Sequence, residues 1–275
     1  NIGPGELAAL YAMRDNPAFP DLINARFEAP FLHQAAAYNN PQNDPSKARG
    51  EDGNYFNPET ASDFEKKFPG AWGKYAMSVA GGEDLFSSWS GMSSEIRAKA
   101  MRNFWEARAA LHKAGFSHND MHGGNIMVNP ETGEVNIIDL GLANDNPITA
   151  LQEALGGMNF EEGNDYQLTH QLSGSNIPEA IRERMTDRMS ALEERLMDHL
   201  GESFDADDME AMDEAMGNIS NLLLGDIRMT PSDIEKLRTQ FPMFGNGDYV
   251  RDRIAELYDG LWDDVDGDDV GDEPG

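Results

Sequence analysis

Between Leu111 and Ala143 the chain reads LHKAGFSHNDMHGGNIMVNPETGEVNIIDLGLA. The residues in it that could do chemistry are His118, Asp120, Asn125 and Asp139. The amide oxygen of Asn125 and the carboxylate of Asp139 are hard donors suited to Mg2+. Asp120 is then left to orient a hydroxyl and accept its proton. Phosphoryl transfer uses this combination. Its transition state spreads negative charge over the moving group, so catalysis is mostly positioning and charge neutralisation. Taken singly, His118 reads as a core histidine, Asp120 as a turn residue and Asp139 as the cap of a turn. Their order and spacing together carry the chemical reading.

Those side chains need elements that bring them to one place. Ile96, Ala100, Phe104, Ala107 and Leu111 recur at helical spacing, so a helix is expected over 94–114, closed by Gly115. Gly123 and Gly124 let the loop turn sharply. Two short strands, Asn125 to Val128 and Val135 to Asp139, flank the turn Asn129-Pro130-Glu131-Thr132-Gly133. That hairpin folds back and returns Asp139 towards Asn125. Upstream, a short helix is expected over 4–14, an edge strand over Phe27 to Leu32, a loop insertion over 38–70 and a buried strand over Lys74 to Ala80. Downstream, Ile181, Met185, Met189, Leu192, Leu196 and Leu200 predict a helix over about 178–200 that ends at Gly201. Its methionines read as core filling. Further helices are expected at about 205–224, 231–239 and 248–261.

The order of these residues resembles the protein-kinase-like superfamily, whose signature is H-R-D-L-x-x-x-N followed by D-F-G. The chain has His118-Asn119-Asp120-Met121-His122-Gly123-Gly124-Asn125 and then Asp139-Leu140-Gly141, with five residues from Asp120 to Asn125 and 19 from Asp120 to Asp139. Val79-Ala80-Gly81-Gly82-Glu83-Asp84 looks like the hinge of that family. The resemblance implies an α+β, kinase-like fold with a reduced N-lobe and a mostly helical C-lobe. Residues 1–80 would form the partial N-lobe and 81–262 the C-lobe, with the catalytic loop at 118–125 and the metal motif at 139–141. Residues 263–275 would be an acidic, disordered tail. The resemblance also implies ATP and Mg2+ as cofactors. Asp120 becomes the base, His118 a structural residue, and Asn125 and Asp139 the metal ligands. Backbone at Met77, Val79 and Ala80 would hold adenine, with Glu83 or Asp84 at the ribose. Glu6 would pair with a strand lysine.

The departures are specific. Asn119 replaces the arginine of the triplet, so control by a phosphorylated activation segment is not expected. His122 stands where protein kinases carry lysine, as in aminoglycoside-type small-molecule kinases. Asp-Leu-Gly-Leu is similar to the compact kinases that bacterial pathogens inject. Asp165 is the candidate for the helix aspartate that braces the catalytic loop, which would make the activation segment very short. No Gly-rich loop or strand lysine precedes Glu6. Two readings follow. Either the ATP-clamping strands lie upstream of Asn1 and the chain is an ATP- and Mg-dependent phosphotransferase acting on a protein or small-molecule hydroxyl. Or they are lost, and the chain is a catalytically inactive kinase-like module within a larger viral or secreted-effector assembly.

Composition narrows the rest. With 21 basic and 50 acidic residues the net charge is −29, which repels nucleic-acid phosphates and admits a basic protein partner. There are no cysteines, so disulfides and thiolate metal sites are excluded. No apolar run is long enough to span a membrane. A soluble protein is expected, cytoplasmic or associated with a virus or effector system. The acidic run from Asp263 to Asp269 lacks the spacing of a calcium loop.

Overall fold

The computed structural model describes residues 4–27, 73–77, 80–158, 172, 176–203, 209–225 and 228–263. It is mostly helical, with two small antiparallel sheets among the described residues, an α+β arrangement. In chain order the elements are α1 (Pro4–Ala12), β1 (Leu22–Phe27), β2 (Gly73–Met77), β3 (Glu83–Asp84), α2 (Leu85–Ser88), α3 (Ser94–Lys113), β4 (Ile126–Val128) and β5 (Val135–Ile137). Five helices follow: α4 (Pro147–Met158), α5 (Glu179–Ser203), α6 (Met209–Leu224), α7 (Pro231–Gln240) and α8 (Gly247–Tyr258). Among the described residues no helix is long and apolar enough to cross a membrane.

The centre of the fold is α3. Ser93 caps it by accepting the N–H of Ile96 at 3.3 Å. Ala100, Phe104, Ala107 and Leu111 are buried, as their spacing predicts, and so is a second stripe of Met101, Trp105, Arg108 and His112. Two buried stripes put α3 inside the molecule, packed by β5, α4 and α8. The hairpin after it pairs Ile126 with Ile137 and Val128 with Val135. Asn129 holds its turn, its side chain accepting from the N–H of Glu131 at 2.9 Å. β3 joins the other edge, giving the order β3-β4-β5.

Upstream, Leu22–Phe27 is a strand antiparallel to β2; of the strand expected over Phe27 to Leu32, residues 28–32 lie outside the described residues. Two expectations need correction. The long C-terminal helix does not end at Gly201 but runs to Ser203, because Gly201 keeps ordinary helical backbone. Glycines with positive φ close α3 (Gly115, 87°) and α6 (Gly225, 69°) instead. Helix α4 was not expected at all. It is buried nearly all round, including Thr149, Gln152 and Gly157. Gln152 is accommodated because its amide donates to Asn221 O and accepts from Met229 N, both at 3.0 Å. The expected 38–70 loop and the tail beyond Asp263 lie outside the described residues.

Candidate active site

The loop from Ser117 to Asn125 connects α3 to β4. His118 is fully buried, and both ring nitrogens are used. Nε2 donates to the carbonyl of Ile138 at 2.9 Å, and Nδ1 accepts the N–H of Asp120 at 3.3 Å. A carbonyl can only accept and an amide can only donate, so the proton sits on Nε2. His118 therefore ties Asp120 to the strand that ends just before Asp139. Asn125 is also buried. Its Nδ2 donates to the carbonyl of Asp120 at 2.9 Å and lies 3.3 Å from Asp120 Oδ2. The amide nitrogen is thereby committed, and Oδ1 is the acceptor that remains.

The hairpin returns as its spacing predicts. The N–H of Ile138 donates to the carbonyl of Asn125 at 2.9 Å, one residue before Asp139. Asp139 is exposed and left-handed, with φ 55° and ψ 63°, a conformation that aspartate tolerates better than most residues. Its carboxylate caps the single turn Leu140–Leu142 from 3.4 Å. Helix α1 packs on that turn. A Cβ on Gly5 would lie 2.2 Å from the carbonyl oxygen of Ala143, so only glycine lets the helix approach this closely. Glu6 follows directly and is partly buried beside the motif.

The strand expected over Lys74 to Ala80 is β2, Gly73–Met77. Met77 is its last residue, Ala80 is partly buried, and Val79 lies outside the described residues. Glu83 is exposed on β3, its backbone opposite Val128. Asp84 caps α2, accepting from Ser87 N at 3.0 Å and from Ser87 Oγ at 2.7 Å. Those bonds hold its carboxyl below the usual range and leave Glu83 less committed. His122 accepts from Gly124 N at 3.1 Å, and its Nε2 stands 3.8 Å from Asp120 Oδ2.

Asp165, the expected brace, lies outside the described residues; among the described residues Glu153 on α4 braces the loop. Its Oε2 accepts the N–H of His118 at 2.6 Å, and Oε1 accepts that of Asn119 at 2.9 Å. His112 Nε2 reaches the same carboxylate at 2.9 Å. Arg108 donates to the Glu153 carbonyl and, at 2.8 Å, to the Tyr258 hydroxyl. Burial alone would raise the Glu153 pKa, but the bond from His112 and the charge of Arg108 outweigh it and hold it at about 2. Burial pushes His112 down to about 4, and burial likewise pushes the Tyr258 hydroxyl up. At neutral pH the cluster is Glu153 anionic, Arg108 cationic, and His112 and Tyr258 neutral.

Between Leu142 and α4 there are only four residues. Asn119 has φ 63°, and its Nδ2 donates to Ser117 Oγ at 2.8 Å and to Leu142 O at 2.9 Å. Ser117 and Asn144 exchange backbone hydrogen bonds at 2.9 and 3.0 Å. The residue standing in for the arginine of the triplet thus stitches the loop to the segment after Asp139.

Whether a hard cation fits is decided by the donors. Among the described residues no group of three or more His, Asp or Glu side chains is placed to hold a metal. Asn125 Oδ1 and the exposed Asp139 carboxylate supply two hard oxygens, enough for Mg2+ that keeps waters and phosphate oxygens as its other ligands.

No family model matches the chain, and no curated protein matches it. Among solved structures it is similar to the kinase PK-1 of Cydia pomonella granulovirus, at 14% identity and a TM-score of 0.36, over 95% of this chain and 80% of that one. A TM-score of that size does not define a shared fold.

Proposed function

We propose that the chain is a kinase-like phosphotransferase, taking the γ-phosphoryl of ATP to a hydroxyl on a protein or small molecule. One observation carries this reading. Asn125 holds Asp120 through its amide nitrogen while its backbone carbonyl receives Ile138 N–H, so base and two oxygen donors share one loop and one strand end. Asp120 orients the acceptor hydroxyl and takes its proton as the new O–P bond forms. The bond from the γ-phosphorus to the β–γ bridging oxygen breaks, and ADP leaves. Asn125 and Asp139 would hold Mg2+, which neutralises phosphate charge when bound. His118 keeps Asp120 in register with Asp139. Backbone at Met77, Val79 and Ala80 would receive adenine, and Glu83 the ribose. Glu6, on the helix that packs against Leu140–Leu142, would pair with a lysine that approaches the phosphates. On this reading residues 1–80 act as a partial N-lobe and 81–262 as the C-lobe.

The test is a thermal-shift titration with ATP, with and without Mg2+. Ligand at a hundred times its dissociation constant stabilises by about 2.7 kcal/mol, a readable shift. A Mg2+-dependent rise that is lost in Asp139→Ala is expected. No shift at millimolar ATP would overturn the enzyme reading and favour a kinase-like binding module.

A further inference from the structure

We infer that Tyr258, the last residue of α8, is a positioning residue for the loop at 118–120, acting through the ring placement of His112 and the carboxylate of Glu153. That this loop is catalytic rests on the phosphotransferase proposal; the positioning itself does not. Every hydrogen in this chain of bonds has one possible direction. Arg108 can only donate, so the Tyr258 oxygen accepts from its Nη1 at 2.8 Å. The hydroxyl proton is then free to go to His112 Nδ1, also at 2.8 Å. With Nδ1 accepting, the ring proton of neutral His112 must sit on Nε2, aimed at Glu153 Oε2 at 2.9 Å. The Glu153 oxygens then face the amides of His118 and Asn119.

The hydroxyl does what a phenylalanine of nearly the same size could not. Tyr258 is only 6% exposed and His112 is fully buried, so neither has bulk water as a substitute partner. Without the hydroxyl, the proton stays on Nε2 against the Glu153 carboxylate, which can only accept, but the buried Nδ1 lone pair loses its donor. The ring then shifts to relieve that unpaired atom, and the brace loosens. Tyr258 itself makes no hydrogen bond to the loop. Its influence crosses from α8 to α3 to α4 before reaching it.

The experiment is NMR on the full chain without nucleotide. It reads the His112 ring nitrogens and the hydrogen exchange of the His118 and Asn119 amides, against interior α3 amides such as Met101 and Leu111. In Tyr258→Phe, His112 is expected to keep its Nε2–H, held by the Glu153 carboxylate, while the Nδ1 signal moves to that of a lone pair with no hydrogen bond. The two loop amides should exchange about tenfold faster relative to α3, the effect of one weakened buried hydrogen bond. His112→Gln keeps an N–H donor near Glu153 and has no Nδ1 that depends on the hydroxyl, so its loop amides should stay protected even when combined with Tyr258→Phe. Unchanged relative exchange in Tyr258→Phe overturns the proposal. So does faster exchange spread evenly over α3, or the same loss in the combined variant. Because no ATP is present, failure here is separate from failure of the phosphotransferase reading.

Discussion

Glu153 Oε2 lies 2.6 Å from the backbone nitrogen of His118, joining a helix that follows Asp139-Leu140-Gly141 to a loop that precedes it. The same carboxylate faces Asn119 N–H and His112. In Glu153→Ala, two buried amides, an imidazole N–H and the Arg108 charge all lose a partner. Loss of one member of a buried charged pair costs about 3–5 kcal/mol. Urea unfolding should show a drop of that size, and a change below about 1 kcal/mol would mean that water replaces the carboxylate.

Gly157 sits under the Arg108 guanidinium. A Cβ there would lie 2.2 Å from Nη2 and 2.5 Å from Cζ, and Arg108 is 2% exposed with no room to retreat. Helix propensity alone favours alanine by about 1 kcal/mol. Gly157→Ala should nonetheless destabilise by about 1–3 kcal/mol, as overpacking does. A thermal melt with an unchanged or raised midpoint would contradict the packing described.

The cluster also sets an acid limit. His112 is depressed from 6.5 to about 4. The unfolded chain therefore binds a proton that the folded chain refuses, and stability falls as pH drops from 6.5 towards 4. Glu153 is depressed from 4.5 to about 2, and its contribution is present above 4.5 and lost as pH falls towards 2. Both act in the same direction. In His112→Gln the part between pH 6.5 and 4 should disappear from the curve of Tm against pH. Comparing variant with wild type cancels the opposing relief of acidic self-repulsion. Parallel curves would mean that His112 does not titrate with unfolding.

On the proposed phosphotransferase reading, Asp120→Ala and Asp139→Ala each reduce ATP turnover at least a hundredfold, the scale of a lost general base or metal ligand. Asp139 is exposed and Asp120 partly so, and the unfolding midpoint should move little in either. Phosphate release or acceptor labelling checks the first statement, calorimetry the second. Retained turnover in either variant would remove that residue from the mechanism.

Much of the arrangement around Asp120 was legible before any coordinates. The α3 stripe, the hairpin turn at Asn129 and the step from Asn125 to Asp139 are local patterns, with periodicity and turn chemistry acting within a few residues. The brace was not legible. Nothing within a few residues of Glu153 shows that α4 is buried nearly all round, and in the sequence Glu153 looks like any surface acid. Arg108 and His112 offered a faint signal, two polar residues four apart on a helix otherwise apolar on that side.

By itself the sequence determined which groups could do chemistry, their order, and the short elements that carry them, because those depend on residue type and near-neighbour spacing. Only the tertiary structure decided what supports them. Tyr258, His112 and Glu153 lie 146 and 41 residues apart along the chain and meet because three buried helices pack together. Burial then makes each unpaired polar group costly, so packing selects the partners that local spacing leaves open.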